Sequence, residues 1–404
     1  MTMILRPRVS CAVMGAALLA TVLATGSPAD ATATGARTAA AAAAAPAAVD
    51  LPPLPGPFQV GTVPFELVDH SRLDPFAPAP QPRALMVQLW YPAVHADRYP
   101  LEPYLPAGAA SYIDQANGLP AGTVESVRAH GRLGAPVAPT FHGWPVVLFS
   151  PGSGASRAYN TTLVEDVASH GYAVVAIDHP YDADVVEFPD GHLVLGKLTD
   201  ANNVQAVQVR AQDASFVIDQ LTQLNAGRRL RGVPEVPGLR GRLDVRRVAM
   251  FGHSLGGAAS AAAMLADRRI SAGVDLDGSL YGPVVRRGLD RPFLLMSSAL
   301  HNRADDSSWA ELWSHLRGWR LDLEMAGSGH LSYSDLGVLA VPLDLTALYP
   351  PEELPGLFGT IDGVRAATVA QAYLTAFFGF TLRHRADSLL QRPDPRYPEM
   401  IFQP

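Results

Sequence analysis

From Trp144 onward the chain alternates short, unbroken apolar runs with longer stretches that are apolar on one side only. The runs are WPVVLF (144–149), YAVVAI (172–177), VAMF (248–251) and PFLLM (292–296), with Ile270 to Leu276 as a fifth. Continuous runs of this length predict strands covered on both faces. Between them, 158–169, Ala201 to Leu224, the alanine-rich stretch after Ser254 and the stretch opening at Ser307 predict helices. In the second of these, Val204, Val207, Ala211, Ala214, Val217, Ile218 and Leu221 fall on one face. Ser307 can cap the fourth, whose Trp309, Leu312, Trp313 and Leu316 stand at i, i+3, i+4 and i+7. Tryptophans at that spacing read as core rather than as a cage for a cation. WRLDLEM (319–325) alternates strictly, as a final strand with two distinct faces does, and a helix over Ala366 to Arg383 closes the pattern.

Upstream, Phe58 to Val68 and Arg83 to Tyr91 read as two strands joined by the proline-rich turn PFAPAPQP. Pro92 to His142 has weak periodicity and predicts irregular structure with one short helix. The whole is an α/β pattern: a mostly parallel central sheet with helices on both faces, preceded by an antiparallel strand pair. In such sheets the working residues gather where strands end at their carboxyl side.

One strand end carries a recognisable turn. VAMF runs into Gly252-His253-Ser254-Leu255-Gly256-Gly257 and then into the alanine-rich helix. Gly-x-Ser-x-Gly between a strand and a helix places a serine at a strained apex, its Oγ exposed beside free N–H groups of the helix start. Gly252 and Gly256 are needed because side chains there would meet the backbone of the turn or of the packed helix. A neutral hydroxyl needs a base, and the base needs a carboxylate to orient it.

In this architecture the order is serine, acid, histidine. Four histidines follow Ser254: His301, His315, His330 and His384. His315 falls within a predicted helix and His384 at the end of one. His330 lies in Ala326-Gly327-Ser328-Gly329-His330, a loop after the last strand able to bring an imidazole back over the sheet, and is the expected base. Asp277, where strand 270–276 ends, is the expected acid. Asp275 lies deeper in the sheet, where an unpaired charge is costly. Asp305 and Asp306 arrive at a helix start, where capping accounts for them. The two oxyanion donors are expected to be the N–H of Leu255 and that of Ser153, the latter in Pro151-Gly152-Ser153-Gly154 after strand 144–149.

Composition narrows the classes. The 404 residues are 48% hydrophobic and 17% charged, ordinary for a globular protein, and a net charge of −7 argues against a nucleic-acid binder. Arg6 and Arg8, the 13-residue apolar run from Cys11 to Leu23 and the small residues after it read as a signal peptide over 1–31. That run is shorter than the roughly 20 residues of a membrane-spanning helix. Residues 32–57 read as an Ala/Pro-rich linker and 58–404 as a single catalytic domain. Cys11 is the one cysteine, so the exported chain has neither a disulfide nor a cysteine nucleophile. His179, Asp182 and Asp184 in HPYDAD are the nearest thing to a metal set, and read as polar rim of a post-strand loop.

The residues resemble a known family. VQLWYP (87–92), LFSPGSGASR (148–157), ASHGYAVVAIDHP (168–180), GHSLGG (252–257), GVDLDG (273–278) and GSGHLSYSDL (327–336) are similar to the platelet-activating factor acetylhydrolase family of α/β-hydrolases. The likeness spans Phe58 to Leu336 in order. It implies the α/β-hydrolase fold, Asp277 as acid, His330 as base and Ser153 as second oxyanion donor. It also implies calcium-independent cleavage of short or oxidised acyl groups from phospholipids, with no cofactor or metal and no protein partner. Transient contact with a lipid surface is compatible with such substrates. The chain departs from the family at Pro151, where a histidine is common, and over 337–365. The alternatives are a general carboxylesterase, lipase or polyester hydrolase, or a non-catalytic binding protein on the same scaffold.

Overall fold

The computed structural model describes residues 46–404. The segment 1–31 read as a signal peptide and most of the segment read as a linker therefore lie outside the described residues. Eight strands form the body of a twelve-stranded sheet: β1 (Gln59–Leu73), β2 (Pro82–Ala93), β3 (Trp144–Ser150), β4 (Ala173–Asp178), β5 (Leu243–His253), β6 (Ile270–Leu276), β7 (Phe293–Ser297) and β8 (Arg320–Met325). Their spatial order is β1-β2-β4-β3-β5-β6-β7-β8. β1 and β2 are an antiparallel hairpin, β2 meets β4 antiparallel, and every pair from β4 to β8 is parallel.

The continuous runs are covered on both faces, as their composition requires. Val146 and Leu148 of β3 pack into one core with Val207 and Ile218 of helix 203–225, Ala259 of helix 255–266 and Trp309 of helix 307–315. Their neighbours Val147 and Phe149 face the other core, with Leu163 and Val167 of helix 161–169 and Phe377 and Phe378 of helix 363–383. In chain order the longer helices are α1 (Ala107–Ala116), α2 (Thr161–Ser169), α3 (Asn203–Asn225), α4 (Leu255–Ala266), α5 (Ser307–His315) and α6 (Gly363–Arg383). Each core helix presents its apolar stripe to one side of the sheet.

Several expectations are corrected. The linker does not run free up to residue 57. Val49–Asp50 pairs in parallel with a strand at Val127–Leu133, and Leu51 is buried. Residues 92–142 contain that strand as well as the expected helix α1. Its inward positions are Val127, Ala129 and Gly131, of which only the valine is a strand former, too little to mark a strand by hydrophobicity. Val204 is half exposed in the first turn of α3 and does not join the apolar face. Asp306, not Ser307, caps α5, accepting from the backbone N–H groups of Ser308 and Trp309. A last strand, Met400–Phe402, pairs antiparallel with β8. The proline-rich stretch 337–365 is packed against the His330 loop: Thr360 N–H donates to Gly327 O at 2.7 Å and Ser332 Oγ to Phe358 O at 3.1 Å.

Candidate active site

Ser254 stands between the last residue of β5 and the first of α4, with φ 54° and ψ −125°, a conformation that L residues adopt only when surrounding structure enforces it. The enforcement is visible. Ser254 N–H donates to Leu276 O of β6 at 2.8 Å. A Cβ on Gly252 would collide with the carbonyl group of Gly256, and one on Gly256 with the carbonyl oxygen of Ser150. Leu255 opens α4, so its N–H lies at the positive end of that helix.

On one side of Ser254 lies Asp277, in the left-handed region (φ 61°) directly after β6. His330 Nδ1–H donates to Asp277 Oδ2 at 2.6 Å. The other oxygen, Oδ1, accepts from Ser298 N–H at 2.6 Å and from His301 Nδ1–H at 3.1 Å. His301 reaches on through Nε2 to Asp306 Oδ2 at 2.9 Å. Burial alone would raise the Asp277 carboxyl, but the bonds from His301 and His330 hold it well below the usual range. Burial likewise works against a charge on His301, and the bonds to Asp277 and Asp306 outweigh it, pushing the imidazole up to about 11. His301 is therefore an imidazolium with both nitrogens engaged by carboxylates, and neither is left to serve a serine. His330 has only Nδ1 committed, to Asp277, which leaves Nε2 available to a neighbouring group.

His253, inside the serine motif itself, takes part as well. Its Nε2–H donates to the backbone carbonyl of His330 at 2.9 Å, and the two rings lie 4.6 Å apart. Burial first, and then the neighbouring His330, pull its pKa down to about 3, so it is a neutral donor that holds the His330 loop over the elbow. The other candidates sit elsewhere. Asp275 is fully buried under Gly257 and Gly278, and desolvation raises its carboxyl well above the usual range, which keeps it neutral. Asp305 stays in its own exposed turn with Asn302. His315 bonds the carbonyl of Glu311 within its helix, and His384 ends α6 at φ 56°, exposed. Trp309 is fully buried against His301, and Trp313 is covered by the guanidinium groups of Arg303 and Arg320.

On the other side lies the loop 150–157. A Cβ on Gly152 would be 3.4 Å from the Ser254 Cβ, so the loop borders the elbow. Ser153 is at its turn, half-buried. Beneath it is a second buried charge network. Arg210 of α3 donates to Asp182 through Nε and Nη2 at 2.8 and 2.7 Å, and to Ser150 Oγ at 3.2 Å. The same guanidinium takes the carbonyls of Pro151 and of Gly152, the latter at 3.0 Å. His179 accepts from Ser150 Oγ at 3.0 Å and donates through Nδ1 to Asp213 Oδ2 at 2.9 Å. Asp213 also receives Arg83, which pairs in turn with Asp74. The donor atoms of His179 and Asp182 are thus engaged inside the protein, while Asp184 is exposed at the loop edge. Among the described residues no group of three or more His, Cys, Asp or Glu is arranged to hold a metal.

A sheet in the order β1-β2-β4-β3-β5-β6-β7-β8, with a strained serine after β5 and an Asp–His pair beside it, defines an α/β-hydrolase. The sequence model of "Platelet-activating factor acetylhydrolase, isoform II" matches residues 43–188 and 194–348, beyond both ends of the stretch from Phe58 to Leu336. The chain belongs to this family, and with it to the carboxylic ester hydrolases. Over 380 residues it is 31% identical to a "Probable 1-alkyl-2-acetylglycerophosphocholine esterase" of Arthroderma benhamiae, covering 87% of this chain and 93% of that protein. The platelet-activating factor acetylhydrolase of Cavia porcellus is 25% identical over 247 residues, 56% of each chain. The solved structure of a ferulic acid esterase from Streptomyces cinnamoneus superposes with a TM-score of 0.78 at 35% identity, covering 89% of this chain and 100% of that one.

Proposed function

We propose that this chain is a serine esterase that works by acyl transfer through Ser254, His330 and Asp277. The observation that carries the reading is the 2.6 Å bond from His330 Nδ1–H to Asp277 beside a serine held at φ 54°. His330 Nε2 takes the Oγ proton as Oγ bonds to the ester carbonyl carbon, and the carbonyl electron pair moves onto oxygen. The N–H groups of Leu255 and Ser153 receive that oxyanion. On collapse the bond to the alcohol breaks, and the leaving oxygen takes the proton from His330. Water then repeats the sequence on the acyl-enzyme, with His330 as base again. Asp277 keeps Nδ1 protonated and offsets the charge on the imidazolium.

For substrate, a short or oxidised acyl group on a phospholipid is the first reading, supported by the family and by the name of the Arthroderma relative. A hydroxycinnamoyl ester is the second, supported by 35% identity to the ferulic acid esterase along its whole length. A transient contact with a lipid surface accompanies the first reading only. Export through the N-terminal segment 1–31 completes the proposal. Ser254→Ala and His330→Ala should each lower kcat on a short-chain nitrophenyl ester by about 10⁴-fold or more. Retained activity in folded Ser254→Ala would refute the mechanism. Comparing kcat/KM for a 2-acetyl phospholipid and methyl ferulate decides between the substrates.

A further inference from the structure

We infer that Arg210 is a positioning residue for the oxyanion hole, holding the loop carbonyls on one side so that the Ser153 N–H is presented on the other. The inference rests on the role proposed for Ser254. A trans peptide directs its C=O and N–H in opposite senses, and no cis peptide occurs among the described residues. Gly152 O and Ser153 N–H belong to one such unit. Arg210 Nη2 holds Gly152 O at 3.0 Å, and the same oxygen accepts Ala155 N–H at 3.3 Å, closing a turn over 152–155. Arg210 Nη1 holds the preceding carbonyl, that of Pro151. Two successive carbonyls are thus turned toward α3, and the Ser153 N–H is turned away from it. Gly152 itself lies against Ser254.

The guanidinium is anchored in its own right. Asp182 receives Nε and Nη2, and the Arg210 side chain is 1% exposed. Farther along, Asp178 receives the backbone N–H and the guanidinium of Arg157, so the loop is pinned at both ends. The planar fork spreads its N–H groups over three nitrogens and so reaches two neighbouring carbonyls and both oxygens of a carboxylate together; an ammonium has its three N–H groups on one nitrogen and cannot span the same acceptors. A buried ion pair contributes little net stability compared with an apolar pair of the same shape. Geometry is what this one supplies.

Two variants test the inference. Arg210→Lys keeps the charge opposite Asp182 and loses the fork. Arg210→Met combined with Asp182→Asn removes the ion pair as a unit and leaves no buried charge unpaired. Each is assayed, with folding checked by circular dichroism, for kcat, KM and inhibition by an alkyl trifluoromethyl ketone, whose serine adduct carries an oxyanion. The expected result is a fall in kcat of about 10²-fold, the scale of one lost oxyanion donor, with KM within about threefold. Inhibition by the ketone should weaken in proportion to kcat. A folded variant of either kind with wild-type kcat and ketone affinity overturns the role of Arg210. A fall in kcat with unchanged ketone affinity overturns it too, because the lost step would then not involve the oxyanion. Ser254→Ala is run in parallel: if it stays active, the reading of the site itself fails, whatever Arg210 does.

Discussion

The two sides of Ser254, the proposed acid–base side and the proposed oxyanion side, are both held by buried charge, but with different chemistry. On the first, Asp277 and Asp306 clasp His301, and Asp277 also holds His330. Every member of that set titrates. On the second, Arg210 and Arg83 are paired with Asp182, Asp213 and Asp74, and guanidinium groups keep their charge at any pH the protein meets. What they hold differs as well: on the proposed mechanism, an imidazole that gains and loses a proton on one side, and backbone amides that stay still on the other. On that mechanism, the half of the site that changes charge in each turnover is built from groups able to respond to it. The half that would only receive charge is held by guanidinium groups, which keep theirs.

The largest effect that would break this comparison is the loss of the shared carboxylate. Asp277→Asn should lower kcat by about 10²–10⁴-fold, since the amide can neither fix the His330 tautomer nor offset its charge. Asp306→Asn should lower kcat less than tenfold, its main cost being about 1 kcal/mol of stability from the α5 cap and the His301 contact. Steady-state kinetics on both folded variants decides. If Asp306→Asn were the more damaging, the acid would lie after β7 and the two carboxylates would exchange roles.

Much of this was legible in the residues, for physical reasons. Strands buried on both faces must be continuously apolar, so β3, β4, β5 and β7 announced themselves. Ser254 was legible because a strained apex demands Gly252 and Gly256 around it. Asp277 and His330 were singled out by their positions after β6 and β8, and the structure brings them within a hydrogen bond. What stayed hidden depends on partners far off in the chain. Arg210 reads as one more polar residue on an amphipathic helix, and the carbonyls it holds are 58 and 59 residues away. The part played by His301 was hidden because its partner Asp277 comes from the strand before, 24 residues back. His253 offered a signal that went unused, since it lies inside the motif, one residue before the serine. The strand Val127–Leu133 escaped because, after Val127, its inward positions are alanine and glycine.

A smaller effect sharpens the division of labour on the acid–base side. His301 places a positive charge against Asp277 and so weakens the pull of that carboxylate on a proton at His330. His301→Gln removes the charge and keeps a donor in reach of the carboxylates. With Asp277 less compensated, the protonated form of the base is favoured, and the acid limb of the kcat/KM profile should move to higher pH by about one unit or less. The plateau rate should change less than tenfold. A limb that stays in place, or moves to lower pH, would show that His301 only fills space beside Trp309.

The smallest expected effect separates the two networks by the end of the pH scale at which each fails. His301 has a folded pKa raised to about 11 from 6.5, so its stabilisation is complete below about pH 6.5 and is lost as pH rises through the folded value. Asp277 and Asp306 are held below 3.8, so their share is present above that value and lost in acid. The acid–base network thus weakens at both ends. Across the site, Asp182 and Asp213 are likewise held low, and His179 is kept neutral by burial, all of which fail in acid. Arg210 and Arg83 give nothing up in alkali. Chemical denaturation of wild type and His301→Gln should therefore show a gap of about 2 kcal/mol near pH 6 that closes toward pH 10–11. The difference between wild type and the Arg210→Met/Asp182→Asn pair should stay constant over the same alkaline range. A His301→Gln gap that persists unchanged at pH 10.5 would mean that the imidazole is neutral in the fold, and Asp277 would then lack the cation that sets the acid–base side apart from the oxyanion side.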